Sequence, residues 1–169
     1  EDIFSLDISR FEKFHSEIKF ITERVTETLG DMYAMHWPYK QHTTSRNQKL
    51  LPYHNDLKKA CACFGVGGGF ERPMWYAINN NKPEYQYSFG YQNWYESAKF
   101  ETIHARKHVG LFELTPFSKF EIKGPNAYGV LQYLCANNIK NIDGATTYTQ
   151  MLNPKGGIEA DLTVTCIEK

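Results

Sequence analysis

Asp161 is the residue whose type and place most call for chemistry. It lies inside a run rich in Ile, Leu, Val and Thr, from Ile158 to Ile167, that reads as a strand. Strand alternation puts Ile158, Ala160, Leu162, Val164 and Cys166 on one face, and Glu159, Asp161, Thr163, Thr165 and Ile167 on the other. The first face is apolar and suits a core. The second is polar and has two readings: it faces water, or it floors a pocket. In a pocket, Asp161 can accept hydrogen bonds from ligand N–H groups or stabilise a developing cationic nitrogen. Tyr148, on the preceding strand-like run, can offer a stacking face beside it.

Other candidates lack the context their chemistry needs. His104 and His108 are four apart on a predicted helix and share a face, but Ala105 stands where a metalloprotease carries Glu. Arg106 and Lys107 beside them oppose a cation, so the pair reads as surface or packing histidines near a helix C-terminus. The run Gly65 to Gly69 suggests phosphate, but Phe70 holds the third glycine position of a dinucleotide fingerprint, and Glu71-Arg72-Pro73 opens a helix poorly. It reads as a flexible loop allowing close backbone approach. Cys61 and Cys63 have no second pair at zinc spacing, so no metal is expected. Arg46, Arg72 and Arg106 are each suited to a buried ion pair, and the sequence does not rank them.

The elements that must carry these residues follow from periodicity. Phe11, Phe14, Ile18, Ile21, Val25 and Leu29 define one face of a helix over 9–29, with Ser9 as N-cap and Gly30 as stop. Pro38 keeps Trp37 out of helix. A connector with a domain boundary is expected near Pro52, then a short helix over 55–63, the glycine loop, and a short strand over 75–77. A helix over 96–109, a strand over 118–122, a helix over 125–137 and a hairpin of strands 146–152 and 158–167 complete the order. This is an α+β pattern.

Composition bounds the function class. The 169 residues carry 19 basic and 19 acidic side chains, so no basic surface marks nucleic acid as a partner. Apolar runs are only a few residues long, and nothing is expected to span a membrane. The four cysteines are read as reduced, in a cytosolic-type compartment. The missing initial Met and the final strand-like run predict a piece of a longer chain.

An ordered set of blocks carries a family resemblance. Phe112-Glu113-Leu114-Thr115-Pro116-Phe117 and its continuation to Gln132, then Asn137-Asn138-Ile139, Gly144, Tyr148-Thr149 and Gly156-Gly157-Ile158-Glu159-Ala160-Asp161-Leu162-Thr163-Val164, resemble the start of the folate domain of glycine-cleavage aminomethyltransferase (T-protein). Upstream, Tyr33-Ala34-Met35-His36-Trp37-Pro38, Thr44-Ser45-Arg46-Asn47, Phe70-Glu71-Arg72-Pro73-Met74-Trp75-Tyr76 and Gln92-Asn93-Trp94-Tyr95 resemble the dimethylglycine/sarcosine dehydrogenase family. Ala160, in place of the first of two adjacent acids, suits the dehydrogenase branch better than T-protein. Glu113-Leu114-Thr115 departs from the family's Asp-Val-Ser.

The resemblance implies a helical central segment over 1–51 and the N-terminal part of an aminomethyltransferase-type folate-binding domain over 52–169. It implies oxidation of an N-methyl amine by FAD bound on an upstream flavin domain of the same polypeptide, and transfer of the one-carbon unit to tetrahydrofolate as 5,10-methylenetetrahydrofolate. Asp161 aligns with the family's catalytic folate-site Asp, and Tyr148 with its pterin-contacting Tyr. Thr163 and Thr165 take pocket-facing positions, and Phe117 falls near an apolar pterin contact. The location it implies is the bacterial cytoplasm, or the mitochondrial matrix in a eukaryote. Alternatives are a plain aminomethyltransferase of the glycine cleavage system, a non-catalytic regulatory relative such as a phosphatase regulatory subunit, and a purely structural α+β domain.

Overall fold

A computed structural model describes Ile8 and residues 11–168. The fold is α+β, and the chain divides into two compact units, the first ending at Ser118 and the second starting at Lys119.

In the first unit a 3-10 turn, Lys13–Ser16, precedes helix α1, Ile18–Asp31. Glu12 caps the turn in a reciprocal box with His15, its own N–H donating to His15 Nδ1 at 2.8 Å. The Ser9 cap expected from sequence lies outside the described residues. The helix breaks at Glu17, which is extended, and it runs one residue past Gly30. Its apolar stripe faces outward, with Ile18, Ile21, Val25 and Leu29 all exposed. The polar side makes the attachment instead. Ser45 Oγ donates to Glu23 at 2.7 Å, Arg24 donates to the Thr44 carbonyl at 2.8 Å, and the Thr43 and Thr44 N–H groups donate to Glu27 at 2.6 and 3.1 Å.

The glycine run is not a loop. Helix α2, His54–Lys59, leads into an antiparallel hairpin of β1, Ala62–Gly67, and β2, Phe70–Tyr76. Gly68 and Gly69 have φ of 59° and 79°, the left-handed pair that a tight two-residue hairpin turn requires. Gly65 is also explained, since a Cβ there would come within 2.8 Å of Gln41 Oε1 and 2.9 Å of Met74 Cγ. Cys63, Trp75 and Leu51 are buried around this hairpin. Helix α3, Tyr95–Lys107, joins it through Glu101, which accepts the Tyr76 N–H at 2.8 Å.

Residues 118–122 form no strand, contrary to expectation. Alternating side chains do not make a strand without a ladder; no sheet among the described residues includes this run, and Phe120 is exposed.

The second unit holds helix α4, Ala127–Leu134, and an antiparallel hairpin of β3, Thr146–Leu152, and β4, Ile158–Thr165. Cys135 bridges Met151, and the Ala136 N–H donates to the Gln150 carbonyl at 2.8 Å, so the segment after α4 lies against β3. Thr147 and Thr149 point to this inner side and are buried. Their hydroxyls accept the Lys140 and Asn137 N–H groups at 3.3 and 3.1 Å. The hairpin turn is organised by Asn153, whose side-chain oxygen accepts the N–H groups of Lys155 and Gly157 at 3.0 and 2.9 Å.

Candidate site on the exposed face of the second hairpin

Register builds the site. Tyr148 pairs with Thr163, Gln150 with Asp161, and Thr146 with Thr165. Directly opposite residues in an antiparallel pair share a face. The expected residues Tyr148, Asp161, Thr163 and Thr165 therefore meet on one surface, opposite to buried Thr147 and Thr149. That surface is exposed, as the alternation of β4 predicts. Ile158 departs from the expected core face and is exposed; it pairs with Leu152 at the end of the ladder, beyond the register shift at Met151/Leu152.

The polar groups of this face are linked. Gln150 Nε2 donates to Asp161 Oδ1 at 3.0 Å. The Thr146 and Thr165 hydroxyls share a hydrogen bond of 2.9 Å. The Asp161 carboxylate raises the Tyr148 phenol above its ordinary pKa, first by hydrogen bonding and then by its charge, while Gln150 acts the other way. The result is an accessible carboxylate, a neutral phenol and an aromatic ring side by side. Such a surface suits a planar ligand with N–H donors. Phe117, the remaining expected contact, belongs to the first unit and is exposed.

Two residues that sequence reading left unranked or unnoticed stand out. Among the arginines, Arg46 forms a bidentate ion pair with buried Glu71, Nε to Oε1 at 2.7 Å, and also donates to the Phe64 carbonyl at 3.1 Å. Burial opposes the Glu71 charge, but donation from Arg46 and the Asn47 N–H outweighs it and keeps the carboxyl below its ordinary value. This pair lies in a cavity of about 510 Å³, also lined by Cys63, His54, Tyr85 and Tyr87. Gln150 had no pattern to mark it, since a glutamine in an alternating strand reads as surface.

The metal-type clusters make other contacts as well. Glu27, Asp31 and His42 place ligand atoms within 4.8 Å of one another. Glu27 already accepts from Thr43 and Thr44, and Asp31 is paired with Lys40. His104 and His108 stack with ring centroids 4.6 Å apart, and His104 also stacks on Phe100. All four cysteines are free; burial pushes the Cys63 thiol up to about 11. No described helix is long and apolar enough to cross a membrane.

Two family models match the chain in succession. Residues 53–169 match the GCVT N-terminal domain, and residues 1–50 match the FAD dependent oxidoreductase central domain. The chain belongs to the GCVT N-terminal domain family, in the form that follows a flavin-oxidoreductase central segment. Among its relatives, 4-methylaminobutanoate oxidase (formaldehyde-forming) of Paenarthrobacter nicotinovorans is 40% identical over 97% of this chain and 20% of its own length. Dimethylglycine dehydrogenase, mitochondrial, of Rattus norvegicus is 30% identical over 96% of this chain and 19% of its own length. Sarcosine dehydrogenase, mitochondrial, of Homo sapiens is 27% identical over 97% of this chain and 21% of its own length. The chain thus spans about a fifth of the length of these curated relatives.

Proposed function

We propose that this chain is the folate-binding part of an N-methyl amine oxidoreductase, with residues 1–51 as a central segment and 52–169 as the first part of the folate domain. The observation that supports this reading is the joined Tyr148, Gln150 and Asp161 surface on the exposed face of β3 and β4. A flavin bound outside this chain would supply the hydride acceptor; oxidation of the N-methyl group would give an iminium cation whose nitrogen is double-bonded to a methylene carbon. Tetrahydrofolate then adds to that carbon through one nitrogen and closes through the second. The bond from the methylene carbon to the amine nitrogen breaks, and both folate N–H protons pass to that nitrogen. The products are 5,10-methylenetetrahydrofolate and the protonated, demethylated amine, so atoms and charge balance.

In this scheme the side chains of the chain bind and orient the folate. The Asp161 carboxylate accepts from a pterin or amine N–H and stabilises the cation that the iminium carries. The ring of Tyr148 packs against the pterin plane, and Thr163 and Thr165 offer hydroxyls along the same face. The amine class follows the relatives: 4-methylaminobutanoate, dimethylglycine and sarcosine form the test panel.

Asp161→Asn in the full-length protein tests the proposal. Formation of 5,10-methylenetetrahydrofolate should fall about 100-fold, the usual size of losing one positioned electrostatic group. Amine-dependent flavin reduction should stay near the unsubstituted rate. A variant that forms methylenetetrahydrofolate normally overturns the assignment.

A further inference from the structure

We infer that Gln150 is a positioning residue, holding the Asp161 carboxylate in the orientation that one-carbon transfer requires. The inference rests on the folate reading above and deepens it.

Asp161 stands on an exposed strand face, where a carboxylate rotates freely unless something holds it. Gln150 is its directly opposite partner in the ladder, and Nε2 donates to Oδ1 at 3.0 Å. The backbone under Gln150 is fixed from two sides. Its strand pairs with β4, and its carbonyl accepts the Ala136 N–H at 2.8 Å from the other flank. Its neighbour Thr149 is buried and accepts the Asn137 N–H. The amide therefore projects from one of the better anchored points of the second unit, and it points at the group that needs orientation. A side chain supported in this way holds a reactive group to the narrow geometry that transfer demands.

A solvent-facing hydrogen bond with no role would cost little to lose and would not move kinetics. Gln150→Met separates the two. It keeps length and volume while removing the donor, at a half-buried position where folding should persist. In the full-length protein, with tetrahydrofolate as the varied substrate and dimethylglycine, sarcosine and 4-methylaminobutanoate as amines, the transfer kcat should fall about tenfold, as expected for a misoriented group. The KM for tetrahydrofolate should change less than about twofold, since the groups that contact the folate are kept. Tyr148 supplies a signature independent of folate. In ligand-free protein, its phenol titration, followed by NMR of tyrosine labelled at Cζ, should move up in Gln150→Met and down in Asp161→Asn.

Loss of transfer in both variants with an unchanged KM supports the inference. Normal transfer in Gln150→Met beside a crippled Asp161→Asn overturns the role of Gln150 and leaves the folate reading intact. Normal transfer in both overturns the folate reading, and the inference falls with it.

Discussion

Replacing Arg46 by Met should destabilise the first unit by about 3 kcal/mol, near the low end for breaking a buried ion pair from one side. The loss lies at the low end because the Arg46 side chain is 23% exposed, whereas that of Glu71 is 3% exposed. The loss has two parts. Arg46 gives up donation to both Glu71 oxygens and to the Phe64 and His42 carbonyls. Glu71 keeps only the Asn47 N–H among the donors described and is left buried with its charge. All three tryptophans lie in the first unit, and Trp75 is buried in the same hairpin, so urea unfolding followed by tryptophan fluorescence reports on it. At roughly 2 kcal/mol per M of urea, the midpoint should drop by about 1.5 M. The pH dependence carries a sign. In the unsubstituted protein the Glu71 pKa is depressed, so its contribution is present above the ordinary carboxylate value and lost as pH falls through the folded one. In Arg46→Met, burial dominates and the carboxyl takes up a proton on folding. The gap between the two proteins should then narrow from about pH 7 to about pH 5. A gap under about 1 kcal/mol at neutral pH, or one that stays constant on acidification, refutes the reasoning.

Glu27→Gln should cost about 1–2 kcal/mol at neutral pH, well under the ceiling set by a pKa lowered from 4.5 to about 2, because the carboxylate is partly wetted. Burial raises that pKa, and donation from Thr44 and Thr43 more than reverses it. The stabilisation should fade between about pH 5 and about pH 2, so thermal melts of protein and variant should converge at the acid end; a parallel offset across that range contradicts the assignment. Thiol labelling at about pH 8 should modify exposed Cys61 in the folded protein and leave Cys63 until unfolding, since a thiol at about 11 is only about one thousandth ionised there. Equal labelling rates for the two would show that the first hairpin is not packed as described.

The second hairpin was legible because period-two alternation is a local signal. Asp161, Tyr148, Thr163 and Thr165 reach one face for the same reason that Thr147 and Thr149 reach the other. The first hairpin was hidden by its own turn residues. Five positions, four of them glycine, read as a flexible loop, yet two supply a left-handed turn and Gly65 makes room for Gln41 and Met74. The α1 stripe misleads in the other direction. Its three-four spacing identified a helix, but spacing names a face without naming what covers it, and the attachment runs through Glu23, Arg24 and Glu27. Long-range partners such as Arg46 with Glu71, 25 positions apart, leave no periodic trace.

Those same partners bear on where a folding boundary can lie. The two family matches meet between residues 50 and 53, but the structure does not separate there. Arg46 and Asn47, from the first match, satisfy Glu71, from the second. The Glu71 N–H donates to the Lys49 carbonyl at 2.8 Å, and Gln41 donates its N–H to the Tyr87 hydroxyl and accepts that of Val66. Lys49 also sits over the Phe70 ring, 4.2 Å from its centroid. Each contact joins the segment before Pro52 to the sheet after it, so neither side completes its hydrogen bonding alone. A buried carboxylate whose cation lies across a sequence boundary makes that boundary a seam inside one cooperative unit. The structural division falls instead after Ser118, inside the GCVT N-terminal domain match, leaving the hairpin that carries Asp161 in the second unit with α4.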